Sequence, residues 1–224
     1  MLVRAQHDPA ESQLALEHLC STYWMPLYCW ARHRGKSAPD AEDLVQSFLA
    51  TLIQKDFVAQ ADRERGRFRD LLLAAFKQFL AREHRHDNAA KRAPEKPLIS
   101  LDVENIELRL QQTGSPQRTA VEQFERDWAI ALVNYCVGRL KAEYTDAGKG
   151  VLFETLRGYI TENGSVSGRE AAASLAISEN AVRIAAFRMK KRLGAILQAE
   201  LSQTLQSPSE LAHELQLLIS ALEK

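Results

Sequence analysis

The chain has 224 residues, room for one large domain or two small ones, and is 46% hydrophobic and 26% charged. That balance excludes wholesale disorder, and few Gly and Pro beside plentiful Ala, Leu, Glu and Arg favour helix. The formal net charge is +0, without the basic excess usual in nucleic-acid binders; such a function would have to rest on local segregation of charge.

No apolar run approaches the roughly 20 residues of a membrane span. The opening MLVRAQHDPAESQ turns polar too early for a secretion signal. Cys20, Cys29 and Cys136 are odd in number and widely spaced. They predict free thiols in a reducing cytoplasm, not a disulfide frame or zinc site.

Residues 10–60 read as two or three helices. Leu14, Leu16, Leu19, Tyr23, Leu27 and Trp30 recur at helical steps, and Pro26 predicts a kink or break among them. A turn over 35–39 follows. Asp40 then opens DAEDLVQSFLATLIQK, with Ala41, Leu44, Val45, Phe48, Leu49 and Leu52 on its buried side. Its first turn carries Asp40, Glu42 and Asp43, which suits the positive end of a helix dipole.

Residues 62–92 form a basic helical stretch, where Arg63, Arg65, Arg67, Arg69, Lys77, Arg82, Arg85, Lys91 and Arg92 outnumber the acids. Phe68, Leu71, Leu72, Phe76, Phe79 and Leu80 run between them at helical spacing. Over 93–120 the periodicity fades among Pro94, Pro97, Gly114 and Pro116, with Asp102, Glu104 and Glu107 in the middle. This predicts a linker and a domain boundary.

From 121 the periodicity returns, with Phe124, Trp128, Ala131, Leu132 and Tyr135 on one face. A helix over VLFETLRGYI follows Gly148 and Gly150. Ser167 and Glu170 have capping-box spacing and open a short helix, GREAAASLA. A turn of Ala176, Ile177 and Ser178 follows, and Ser178 is a good N-cap for ENAVRIAAFRMKKRL. There Val182, Ala185, Ala186, Met189 and Leu193 are kept for packing.

Two short helices joined by such a turn describe a DNA-reading helix-turn-helix. Ser178, Glu179, Asn180 and Arg183 lie where side chains reach base edges. Arg188, Lys190, Lys191 and Arg192 form a cluster suited to phosphates. An ordinary helical hairpin with a solvated basic end explains the same residues. The turn position usually held by Gly is Ala176, which enters that conformation only at some cost.

With these blocks in place, the chain resembles the extracytoplasmic function sigma factors, especially the planctomycete-type groups with a C-terminal extension. YWMPLYCWARHRG, DAEDLVQSFLATLIQKD, ADRERGRFRDLLLAAFKQFLAREHRH, WAIALVNYCVGRLKAEY and the helix-turn-helix carry the resemblance, in order, over most of 14–222. The tail AELSQTLQSPSELAHELQLLISAL is similar to that extension.

The resemblance implies an all-α fold of two small helical domains joined by a flexible linker: 10–92, linker 93–120, 121–197 with the helix-turn-helix, and a helical tail over 198–224. It implies core RNA polymerase and promoter DNA as partners, and room for an anti-sigma protein. Asp40, Glu42, Asp43 and Gln46 become candidates for polymerase contact, with plain dipole capping as the bland alternative. Arg65, Arg67, Arg69, Lys77, Gln78 and Arg82 become candidates for the melted core element; Phe68, Phe76 and Phe79 are read as core. The acidic linker either mimics the transcript in its exit path or is a plain spacer. Leu211, Leu215, Leu218 and Leu222 are expected to pack on one domain and regulate exposure of a surface.

Glu83, His84, Arg85, His86 and Asp87 do not read as a metal site, because His84 and His86 point to different helix faces. No phosphate-binding glycine loop, nucleophile elbow or HExxH motif is present. No catalytic residue, cofactor or metal is therefore expected. The rival to a sigma factor is a conventional helix-turn-helix regulator acting without the polymerase.

Overall fold

The computed structural model describes residues 9–54, 67–86, 106–107, 118–161, 167–205 and 207–223, and these are all-helical, with no strand among them. In chain order the helices are α1 (Pro9–His33), α2 (Ala38–Gln54), α3 (Phe68–His86), α4 (Ala120–Asp146), α5 (Gly150–Leu156), α6 (Gly158–Thr161), α7 (Gly168–Leu175), α8 (Glu179–Ser202) and α9 (Leu211–Glu223). A 3-10 turn over Pro208–Glu210 leads into α9.

The compact units have other bounds than the expected domains. One comprises Met1–Ala131 with Leu201–Lys224, the other Leu132–Glu200. The divisions fall inside α4 and α8, because the periodicity of both helices runs unbroken across them. The linker end at Thr119 is itself structured: its hydroxyl accepts from the Glu122 N–H at 3.2 Å, and Glu122 Oε2 accepts from the Thr119 N–H at 2.8 Å. That reciprocal box starts α4.

In the first unit α1 packs against α2, and α2 against α3. Thr22, Tyr23, Trp24, Leu27, Tyr28, Cys29, Trp30 and Ala31 are all buried, so the second half of α1 is a central helix rather than a surface one. Of the kink or break expected at Pro26, a break does not occur: α1 runs through it. A proline inside a helix costs about 3 kcal/mol, and burying each large neighbour returns roughly 1.5–3 kcal/mol, so two or three of them offset it. Trp24 stacks on Tyr28 at 4.9 Å, and Phe48 meets Phe76 and Phe79 at 4.9 and 5.5 Å. Burial pushes the Cys20 thiol up to about 11, so it stays protonated at neutral pH.

Three helices end in the same way. At the ends of α1, α4 and α7 the N–H beyond a left-handed residue bonds back five residues: Lys36 to Ala31, Lys149 to Tyr144 and Ile177 to Ala172. The left-handed residues are Gly35 (φ 82°), Gly148 (φ 69°) and Ala176 (φ 53°). These are Schellman terminators, which normally take glycine.

The first unit also holds a cavity of about 240 Å³ bordered by Trp30, His33, Arg118, Gln123, Phe124 and Asp127. Gln123 Nε2 donates to Asp127 Oδ1 at 2.9 Å, while Asp127 Oδ2 makes no hydrogen bond. Burial pushes the Asp127 carboxyl up to about 6.

Among the described residues no helix is long and apolar enough to cross a membrane, and no group of three or more His, Cys, Asp and Glu could hold a metal ion.

Candidate nucleic-acid interface

In the second unit, α7 and α8 are joined by Ala176, Ile177 and Ser178, and α7 packs against α5. Ala171 and Ala172 are buried, their small side chains letting α7 seat closely. Ser167 takes the N-cap position of α7 with extended backbone, but its side chain makes no capping hydrogen bond, so the expected Ser167–Glu170 box is not formed. Ser178 does cap α8: its Oγ accepts from the Ala181 N–H at 3.2 Å.

Val182, Ala186, Met189 and Leu193 form the buried stripe of α8. Ser178, Glu179, Asn180, Arg183, Arg188, Lys190, Lys191 and Arg192 are all exposed. One of them is already engaged. Arg192 donates from Nε and Nη2 to the two carboxylate oxygens of Glu143, both at 2.7 Å, a bidentate clamp to α4.

Two further residues, assigned no role by the sequence pattern, share this face. Phe187 is 67% exposed and Ile184 44%, large apolar groups in open solvent on a cation-rich helix. They lie off the 182–186–189–193 stripe by a step or two of about 100°, so they are legible as apolar residues left over once packing is assigned. A groove of about 450 Å³ runs beside Phe187, which borders it with Tyr159, Glu179, Arg183 and Lys190.

In the first unit the candidates along α3 divide. Gln78 and Arg82 are exposed. Lys77 is exposed too, its ammonium 4.8 Å from the centre of the Trp30 ring. Arg67 is half-buried and bonded to Asp70 at 2.8 Å. Arg69 is 4% exposed and clamped by Glu125 and Glu214, so it faces no solvent as it stands. Its burial could not be read from α3 alone, because both partners lie far along the chain. Arg65 lies outside the described residues.

The acidic start of α2 is only partly free. Ser37 Oγ accepts from the Asp40 N–H at 3.2 Å and donates to Asp40 Oδ2 at 2.7 Å, so Asp40 belongs to a cap and the helix begins at Ala38. Asp43 is exposed and Glu42 half-buried. Gln46 is buried at 7% and donates to Glu42 Oε1 at 3.3 Å, which corrects its place among surface contacts. Glu107 of the acidic stretch is likewise committed, to Arg32 and Tyr28 of α1.

In comparison with known proteins, no family model, no curated protein and no solved structure matches the chain.

Proposed function

We propose that this protein is a sigma factor: it directs core RNA polymerase to specific promoters, reading duplex DNA with α8 and capturing a melted strand with α3. The carrying observation is the exposed face of α8. Arg183, Arg188, Lys190 and Lys191 present charge there beside Phe187 and Ile184. Cations supply phosphate contact, and apolar groups meet the thymine methyl, the one apolar feature of the major-groove floor. The sequence resemblance and the exposed Lys77, Gln78 and Arg82 on α3 support the second half of the reading.

Run-off transcription with purified core polymerase and a genomic promoter library tests it. Promoter-specific transcripts that require this protein support the reading. Absence of transcripts and of core binding, with duplex binding by the protein alone, would instead favour a conventional regulator.

A further inference from the structure

Arg69 stands in the first turn of α3, in the stretch whose Lys77 and Arg82 face solvent. Its Nε donates to Glu125 Oε2 at 2.8 Å and its Nη1 to Glu214 Oε2 at 2.5 Å. Its guanidinium carbon lies 4.2 Å from the centre of the Trp128 ring. Arg67 is drawn to the same acids, 3.9 Å from Glu125 and 4.0 Å from Glu214. The last helix of the chain therefore sets one carboxylate against both arginines that begin α3. Glu214 is 3% exposed, and Leu218, one turn on, is equally buried.

A buried acid is a poor way to fasten a helix. A well-packed hydrophobic residue in place of such an ion pair is often neutral or stabilising, because the charges must first leave water. What the acid does supply is the charge and oxygen geometry of a phosphate, presented to guanidinium donors. Two arginines that share one carboxylate supply the guanidinium donors that a strand's phosphates use.

We propose that α9 is the resident competitor of a single-stranded nucleic acid at the start of α3. Arg67 and Arg69 form the strand-binding surface, and Glu214 occupies it until a phosphate takes its place. The proposal rests on reading α3 as the strand-capturing helix. Arg69 keeps Glu125 in both states, so its guanidinium is never left unpaired. Docked tail and bound strand oppose one another, and each weakens the other by the same factor.

The test uses the full chain and a fluorescent oligothymidylate of about 16 nucleotides, the upper site size of common single-strand modules. Glu214→Gln removes the charge; Leu218→Ala loosens α9 without touching any charge. Each is expected to bind the oligonucleotide about fivefold tighter or more, the lower range of such couplings. Adding Arg67→Ala to Glu214→Gln should erase the gain. In the unaltered chain, saturating oligonucleotide should speed amide exchange across α9.

Equal affinities in variants that keep their helical circular dichroism would overturn the proposal. So would α9 exchange that ignores the oligonucleotide. If Glu214→Gln gains affinity but no promoter transcripts form with core polymerase, the competitor stands and the sigma reading falls. Transcripts without any gain leave the sigma reading and remove the competitor.

Discussion

Tyr28 and Glu107, 79 positions apart in the chain, share a hydrogen bond of 2.5 Å, with the phenol as donor. Arg32 adds two more bonds to the same carboxylate, from Nε at 2.6 Å and Nη2 at 2.7 Å. Glu107 is thus pinned to the end of α1. The Arg32 guanidinium holds the Glu107 carboxyl at about 2, below the ordinary 4.5, with the Tyr28 hydroxyl assisting. A depressed carboxyl stabilises the fold above its unfolded value and loses that stabilisation as pH falls through its folded one. The urea midpoint is therefore expected to drop between pH 4.5 and 2, and Glu107→Gln should lower it at neutral pH and flatten this limb.

Asp127 works in the opposite direction. Burial raises it from 3.8 to about 6, so the folded chain holds its proton more tightly than the unfolded chain does. Stability from this group is present below pH 3.8 and is lost as pH rises through 6. Asp127→Asn should remove that loss and stabilise the protein at about pH 7–8, by on the order of 1–3 kcal/mol for a shift of this size. Urea unfolding at about pH 4 and about pH 8 checks it: a variant no more stable than the parent under the alkaline condition would contradict the assignment.

Ala176 takes a left-handed conformation that Gly35 and Gly148 adopt freely at the matching positions. The Cβ costs about 1–2 kcal/mol there, and the greater freedom of unfolded glycine takes back part of the gain. Ala176→Gly is expected to raise stability by about 0.5–1 kcal/mol. Chemical denaturation is the measurement, and DNA affinity should be unchanged.

Arg69 and Arg82 are both cations of α3, yet the two alanine variants should behave differently. Arg69→Ala leaves Glu125 and Glu214 only the longer contacts to Arg67 and should cost about 3–5 kcal/mol of stability. Arg82 is exposed, so Arg82→Ala should stay within about 0.5 kcal/mol of the parent. Paired thermal melts decide between them, and similar melting points for the two variants would contradict the clamp.

Phe187 offers a chemical test of base reading. In a duplex selected from a random library by polymerase and this protein, replacing thymines by deoxyuridine deletes only methyl groups. Affinity should fall by about 0.8 kcal/mol for each deleted methyl that packs on the ring. In Phe187→Ala the same replacement should have no further effect, as a double-mutant cycle would show.

The helices are legible in the sequence because their periodicity is strong. Ala41, Leu44, Val45, Phe48, Leu49 and Leu52 read as the buried side of α2, and all are buried except Leu44, which is half-buried. The turn at Ala176 and the Ser178 cap are readable from local chemistry, since both depend on a few adjacent residues. The pairings of Arg69, Gln46 and Glu107 are not legible in the sequence, because a charged or amide side chain looks solvent-bound until its partner is known. For Arg69 those partners sit 56 and 145 positions away. At Pro26 the helix continues because local propensity is overruled by the burial around it.

The first unit draws on both ends of the chain, with Leu132–Glu200 set between its two segments. During synthesis domains generally form as units from the N-terminus onward, but here Arg69 lacks its Glu214 partner until α9 leaves the ribosome. The segment in the middle is finished first, and the segment begun first is closed last. A nascent chain stopped short of α9 would carry two arginines at the head of α3 with one neutralising acid missing.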